Sequence, residues 1–261
     1  TSKWIPSFCS SSRSNSNMNA KALIAALRAS VLLLVAGTAT AQGYLIDSLE
    51  FPEDMPPEIG ALDFARDGML YVSLRRGDVM TAKPSKDPKG FRWKRFATGF
   101  HNGCGMHIVK PGHLLISQMA ELTEVIDLDG DGVADEYNKL ETGIGLSGNY
   151  HETNAICPDG KGGLYVAGGT ASHNGPTSST PLGRYSKIGR YGRNYSAVQY
   201  RGWVMHRAKD GSITPFSSGY RMHNGIEFDP GTGVWCGDNQ GDWRAGSPVY
   251  HVTPDSFAGH P

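Results

Sequence analysis

The densest set of potential ligands in the chain is the run DLDGDGVADE, residues 127 to 136. Its carboxylates at Asp127, Asp129, Asp131 and Asp135 occupy positions 1, 3, 5 and 9 of an EF-hand-type loop. Gly132 stands at the sixth position, where the chain must turn sharply, and the Val133 carbonyl supplies a further oxygen at the seventh. Hard oxygen donors spaced this way wrap one Ca²⁺. Asn138 replaces the bidentate Glu of the twelfth position and no flanking helices are expected, so the loop resembles those of extracellular modules and its affinity should be modest. The competing reading is a solvated acidic turn. A second set of reactive groups is three imidazoles, His101, His151 and His223, in the related segments TGFHNGCGMHI, SGNYHETNAI and SGYRMHNGIEF. Imidazole titrates near neutral pH and suits a general base, although a single loop His is also a common hydrogen-bonded structural residue. The different neighbours of the three argue for separate roles rather than one shared metal.

Repeated elements must position these groups. An apolar alternating run, a turn rich in Asp, Gly or Pro, and a second β-rich run recur as ALDFARDGMLYVSL, MHIVKPGHLLISQ, NAICPDGKGGLYVAGG and IEFDPGTGVWCGDN. With Leu70, Leu114, Leu164 and Val234 as equivalents the intervals are 44, 50 and 70 residues, and the first two match the period of a propeller blade. Flanking runs such as DVMTAKP with FRWKRFATGF, and GWVMHRAKDG with SITPFSSGY, supply two more strands per copy. The expected fold is all-β, a propeller of four-stranded antiparallel blades, with about four of six blades present; a flat β-sandwich is the alternative. Tyr44–Phe51 (YLIDSLEF) is expected to be an outer strand that closes the ring, and two blade faces should be left as apolar surface.

If the first strand of each blade runs downward, the segments entering it and the second-to-third links share one rim. That rim collects the three His, Arg75, Arg76, Gln118, Glu121, Gly168–Thr170 and Asp238–Asp242, whereas DLDGDGVADE falls on the opposite face. Its calcium is therefore expected to be structural. Residues 170–202, rich in Gly, Ser, Tyr and Arg, account for the 70-residue interval and should form a long loop over the rim.

Composition agrees with this design. Of 261 residues 34 are Gly and 15 Pro, 39% are apolar and 19% charged, which excludes a helical bundle and general disorder. From Met18 the chain reads MNAKALIAALRASVLLLVAGTATAQ, a basic start, an apolar stretch and Ala39-Thr40-Ala41, the layout of a signal peptide spanning 18–41. Arg28 leaves too short an apolar run for a membrane anchor. Residues 1–17 read as leader lying outside the protein proper, and 42–261 as the propeller domain. The domain carries 21 basic and 25 acidic residues, which argues against nucleic acid, and export places it in a periplasmic or extracellular setting. Cys104, Cys157 and Cys236 show neither a zinc nor a haem-attachment spacing and read as buried thiols.

His151, PDGKGGLYVAGG, SSGYRMHNGIEFDP, GDNQGDW and YHVTPDSFAGHP together resemble the soluble glucose/sorbosone dehydrogenase family. Its members are six-bladed propellers that use pyrroloquinoline quinone (PQQ). The acidic loop after ELTEVI and the DNQGDW run are especially similar to the large exported "membrane-bound dehydrogenase" relatives of planctomycetes and verrucomicrobia. The resemblance covers roughly Tyr44 to Pro261. It implies oxidation of a sugar or alcohol, with His151 as the general base, and with Arg221 and Asn224 of the Arg-Asn segment gripping the quinone. It further implies that Asp238, Asn239, Gln240 and Asp242 help hold the calcium that polarises PQQ. Such relatives join their propellers to helical-repeat and haem domains, and a haem domain would serve as electron acceptor. A non-catalytic propeller that binds carbohydrate or protein, acting as a scaffold, is the second reading, since fold alone decides neither.

Overall fold

The computed structural model describes residues 46–119, 121–142, 155–170, 200–240 and 245–260. Ser48–Pro261 form one compact unit. Residues 1–17 and 18–41, expected to be leader and signal peptide, together with His151, Asp242 and nearly all of the expected 170–202 loop, lie outside the described residues.

Four antiparallel sheets make the propeller. Sheet 1 comprises β1 (Ile59–Phe64), β2 (Leu70–Leu74), β3 (Asp78–Ala82) and β4 (Lys94–Thr98) in sequential order. Sheet 2 comprises β5 (Gly105–Lys110), β6 (His113–Gln118), β7 (Glu121–Ile126) and β8 (Glu136–Glu141). Sheet 3 holds β9 (Ile156–Pro158), β10 (Leu164–Gly168), β11 (Trp203–Arg207) and β12 (Ile213–Ser218), and sheet 4 holds β13 (His223–Asp229), β14 (Gly233–Asp238) and β15 (Val249–Val252). Sheet 4 thus shows three strands among the described residues. The helical content among them is one 3₁₀ turn at Pro88–Gly90, and none of their helices is long and apolar enough to cross a membrane.

The repeat register read from sequence is the register of the sheets. Leu70, Leu114, Leu164 and Val234 pair with Phe64, Ile108, Pro158 and Phe228, so each stands at the same point of its inner hairpin. Alternation then assigns side chains to faces. Tyr71, Phe96, Leu114, Ile116 and Val125 fill the layer between sheets 1 and 2. Leu122, Ile156, Leu164 and Met205 fill that between sheets 2 and 3, and Cys157, Val204, Tyr220, Ile226 and Cys236 that between sheets 3 and 4. Burial pushes the Cys157 and Cys236 thiols up to about 12, so both are small apolar core residues.

The flanking faces are partly open. Leu62 and Phe64 on sheet 1, and Val249 beside Trp235 on sheet 4, are exposed. One expectation fails here: the described residues from Ile46 to Phe51 form no strand. Phe51 instead stacks on Trp93 at 4.2 Å, the Trp93 indole donates to the Glu50 carbonyl, and Phe51 covers the Leu70, Val72 and Met80 side of sheet 1.

Candidate functional site

The first ends of β1, β5, β9 and β13 gather around a cavity of about 260 Å³, lined by Gly60, Asp63, Cys104, Ala155, Asn224, Gly225 and Glu227. The links at this end form a polar rim, as the strand directions require. Arg75 Nε donates to Asn102 Oδ1 at 2.7 Å, Arg76 pairs with Glu58 at 3.1 Å, and the Gln118 side chain accepts from the His101 backbone at 2.7 Å. His101 itself is exposed.

The most ordered part of the rim is the turn from β12 into β13, Gly219 to His223. Gly219 opens it with φ +85°, and a Cβ there would stand 2.5 Å from the Phe257 ring, so both conformation and space require glycine. Asp238, at the end of β14 and buried, folds the turn. Its Oδ2 accepts from Arg221 N at 3.0 Å, and its Oδ1 accepts from Met222 N at 2.7 Å and from Asn239 N at 2.9 Å. From the other side Thr170 donates to the Arg221 carbonyl through its backbone N at 2.8 Å and its hydroxyl at 2.9 Å.

Pinned at both backbone groups, Arg221 has little freedom in where its side chain starts. Its Nε and Nη1 are buried and have no hydrogen-bond partner among the described residues. Guanidinium donors left this way cost about 1–3 kcal/mol or more each, so such a group marks the seat of an acceptor. The geometry can hold an anion, or a carbonyl on which negative charge develops.

Below the turn, His223 is fully buried rather than presented at the rim. Its Nε2 lies 3.0 Å from the Trp203 carbonyl, which makes that nitrogen the donor, and its ring stacks on Tyr220 at 4.7 Å. Burial pushes its imidazole down while the Asp238 charge pulls the other way, so the ring is neutral at neutral pH and its Nδ1, unpartnered among the described residues, carries a lone pair.

The remaining expected residues fall as follows. Asn239 joins the turn, its N donating to the Met222 carbonyl at 3.2 Å and its amide nitrogen lying 3.7 Å from the Met222 sulfur. Gln240 is exposed beyond it, and Asn224 lines the central cavity one residue into β13. Arg221, Asp238 and Asn239 are therefore brought together. The acidic loop is not among them: it forms the β7–β8 hairpin, at the other end of its sheet.

In that hairpin a ligand oxygen from each of Asp127, Asp129 and Asp135 lies within 4.8 Å of the others. Asp127 also accepts from the N–H groups of Gly130 and Gly132 at 2.7 and 2.9 Å, and both glycines have positive φ, +79° and +82°. Asp131 Oδ1 turns back onto Val133 N at 2.7 Å, and Asn138 donates to Glu136 and Glu124 rather than toward the loop. The donor set is all-oxygen and suits a hard cation.

Two features escaped the sequence reading. Arg201, fully buried before β11, left no signal at all. His107 did: the repeat register places it at the same inner-strand position as Asp63, Cys157 and Glu227, the cross-strand partners of the four being Leu115, Tyr71, Tyr165 and Trp235 respectively. Burial lowers the His107 imidazole while Asp63 and Glu227 act to raise it, so this position puts interacting ionisable groups on the channel strands.

No family model matches the chain, and no curated protein matches it in sequence. Solved structures share its fold. A Thermus thermophilus oxidoreductase described as a glucose dehydrogenase superposes with a TM-score of 0.56 at 17% identity, over 78% of this chain and 64% of that one. The PQQ-bound aldose sugar dehydrogenase of Streptomyces coelicolor gives 0.58 at 16%, over 79% and 63%. The holo PQQ domain of Coprinopsis cinerea pyranose dehydrogenase gives 0.53 at 13%, over 76% and 51%. The chain thus spans less than two thirds of the length of these proteins, and at such identities the likeness is one of fold.

Proposed function

We propose that this propeller is part of an exported quinoprotein dehydrogenase that oxidises a sugar or alcohol hydroxyl, with PQQ as its cofactor. The observation that carries the reading is the Arg221 guanidinium, with two buried donors unmatched on the rim of a fold shared with PQQ-bound sugar dehydrogenases. The residues fit the group: PQQ is a planar quinone with carboxylates, and Arg221 offers a fixed fork of donors to such oxygens. When bound, the quinone supplies the two-electron acceptor.

The chain's own residues then have distinct tasks. Arg221 holds an acceptor oxygen and stabilises negative charge that develops there. Asp238 and Thr170 set the position of Arg221 through its backbone, and Asn239 and Gln240 border the same edge. His151 takes the proton from the substrate hydroxyl as general base, a role suited to an imidazole titrating near the working pH. Asp127, Asp129, Asp131 and Asp135, with the Val133 carbonyl, hold a structural Ca²⁺ away from the reaction. Residues 18–41 direct export, and a haem domain is the electron acceptor.

The test is reconstitution of the full-length protein with PQQ and Ca²⁺, reading cofactor binding by absorbance and turnover by dye reduction with aldoses. Arg221→Leu should weaken PQQ binding at least tenfold, and His151→Ala should abolish turnover while leaving binding intact. Unchanged activity in His151→Ala refutes the catalytic assignment. PQQ binding equal in wild type and Arg221→Leu refutes the Arg221 assignment, and PQQ binding absent from both favours the non-catalytic carbohydrate- or protein-binding propeller.

A further inference from the structure

The end of the molecule opposite the Arg221 turn holds a cavity of about 600 Å³ between the β3–β4 connection and the acidic β7–β8 hairpin. That size is within the usual range of small-molecule sites. Met69, Tyr71 and Phe96 form its apolar floor, and the two rings pack edge to face at 5.4 Å. Lys83, Arg92 and Lys94 line its sides.

Positive charge is concentrated in one wall of this cleft, against the trend of the chain. Residues 42–261 hold more acidic than basic side chains, yet the stretch 83–94 carries five cations and one carboxylate, Asp87, which accepts from the Lys89 backbone at 3.0 Å. Arg95, next to Lys94 in β4, has a carboxylate partner, Asp78. Among the described residues no carboxylate pairs with Lys83, Arg92 or Lys94. Arg92 donates to the Lys89 carbonyl at 2.9 Å, and the Lys94 ammonium donates to the Asp131 carbonyl, while the Asp131 carboxylate turns back onto Val133. The facing hairpin carries Asp127, Asp129, Asp131 and Asp135, whose oxygens are turned onto the hairpin's own N–H groups, so the cationic wall of Lys83, Arg92 and Lys94 is left to attract an anion.

A polar group in the floor points the same way. Tyr71 is only 5% exposed, and its hydroxyl accepts from Gly112 N at 3.1 Å. Burial raises the hydroxyl above its ordinary value, so it stays protonated and can donate as well as accept.

We infer that this cleft binds a small organic anion with two or more carboxylates, or equivalent oxyanion groups, on an apolar body. The anionic groups meet Lys83, Arg92 and Lys94, the body lies on Met69 and Phe96, and the Tyr71 hydroxyl donates to one oxygen. This site is independent of the quinone reading, because it lies at the other end of the sheets and shares no residue with the Arg221 turn.

Calorimetric titration of the calcium-free protein with isophthalate tests it, with neutral isophthalamide and inorganic sulfate as controls. Isophthalate should bind one to one, at least tenfold tighter than either control. The Lys83→Gln/Arg92→Gln variant should weaken it at least tenfold, whereas Lys86→Gln, outside the cleft, should not. Both altered side chains are exposed, and an unchanged urea midpoint confirms that the variant folds. No isophthalate binding, sulfate binding as tight as isophthalate, or an affinity indifferent to the double substitution overturns the proposal.

Discussion

Replacing Asp238 by Asn separates the two things its carboxylate does, being small and being an acceptor on both oxygens. In the native turn Oδ1 takes the N–H groups of Met222 and Asn239, and Oδ2 takes that of Arg221. An Asn side chain keeps one oxygen, which serves Met222 and Asn239, and turns its NH₂ toward the Arg221 N–H, a donor facing a donor. The variant loses one charge-assisted bond, weakens two others and leaves a buried donor unmet, together about 2–4 kcal/mol. For a unit of this size that is roughly 4–15 °C in Tm. Thr170→Val is the gentler perturbation, removing only the hydroxyl bond to the Arg221 carbonyl, about 1 kcal/mol. Because both act on one peptide segment, their effects should not add, and urea unfolding of the two single variants and the double variant measures the coupling. PQQ titration of Asp238→Asn should show weakened binding although the Arg221 side chain is untouched. An Asp238→Asn protein within about 0.5 kcal/mol of wild type, the scatter of ordinary surface changes, refutes the claim that this carboxylate builds the turn.

Three further outcomes follow from the same geometry. Gly219→Ala forces a Cβ to 2.5 Å from the Phe257 ring at φ +85°, and should cost about 2–5 kcal/mol from strain and overpacking, read by urea denaturation. Calcium at about 10 mM should raise Tm by about 3–10 °C, the linkage expected for a dissociation constant on the order of 10⁻⁴–10⁻³ M, and Asp127→Asn should remove most of that rise. Burial tends to raise the Asp159 carboxyl, but hydrogen bonds from His206, Lys161 and Gly163 carry it below its ordinary value. Its contribution to stability is therefore present above the unfolded carboxyl range near about pH 4 and is lost as pH falls through the lower folded value. The acid limb of the stability curve should be shallower in Asp159→Asn.

What could be read from the residues was whatever is decided locally. A hairpin carries its register in its own alternation and turn, so the equivalence of Leu70, Leu114, Leu164 and Val234 survived into the sheets, and with it the separation of the rim from the acidic hairpin. The same register, pressed one residue further, would have exposed His107 on the channel strands. The candidate site is different in kind. Arg221 is held by Asp238, 17 positions away, and by Thr170, 51 positions away, through backbone groups that have no signature in residue type. His223 shows the limit most plainly. Its segment resembles those of His101 and His151, which argued for a place on the rim, yet the ring is drawn inward by the Trp203 carbonyl and the Tyr220 face. A likeness of segments predicts where the backbone passes; which side chain points to solvent depends on the one-residue parity at which the strand begins. The shift in pairing between His223 and Gly225 in β13 recurs at the equivalent point of β1, between Ile59 and Ala61, so which residues face the layer at the start of a strand is set by the pairing and not by alternation alone. Sequence likeness at a rim is therefore sound for locating a site, and the assignment of individual roles within it rests on bonds such as those that leave Arg221 with two donors to offer.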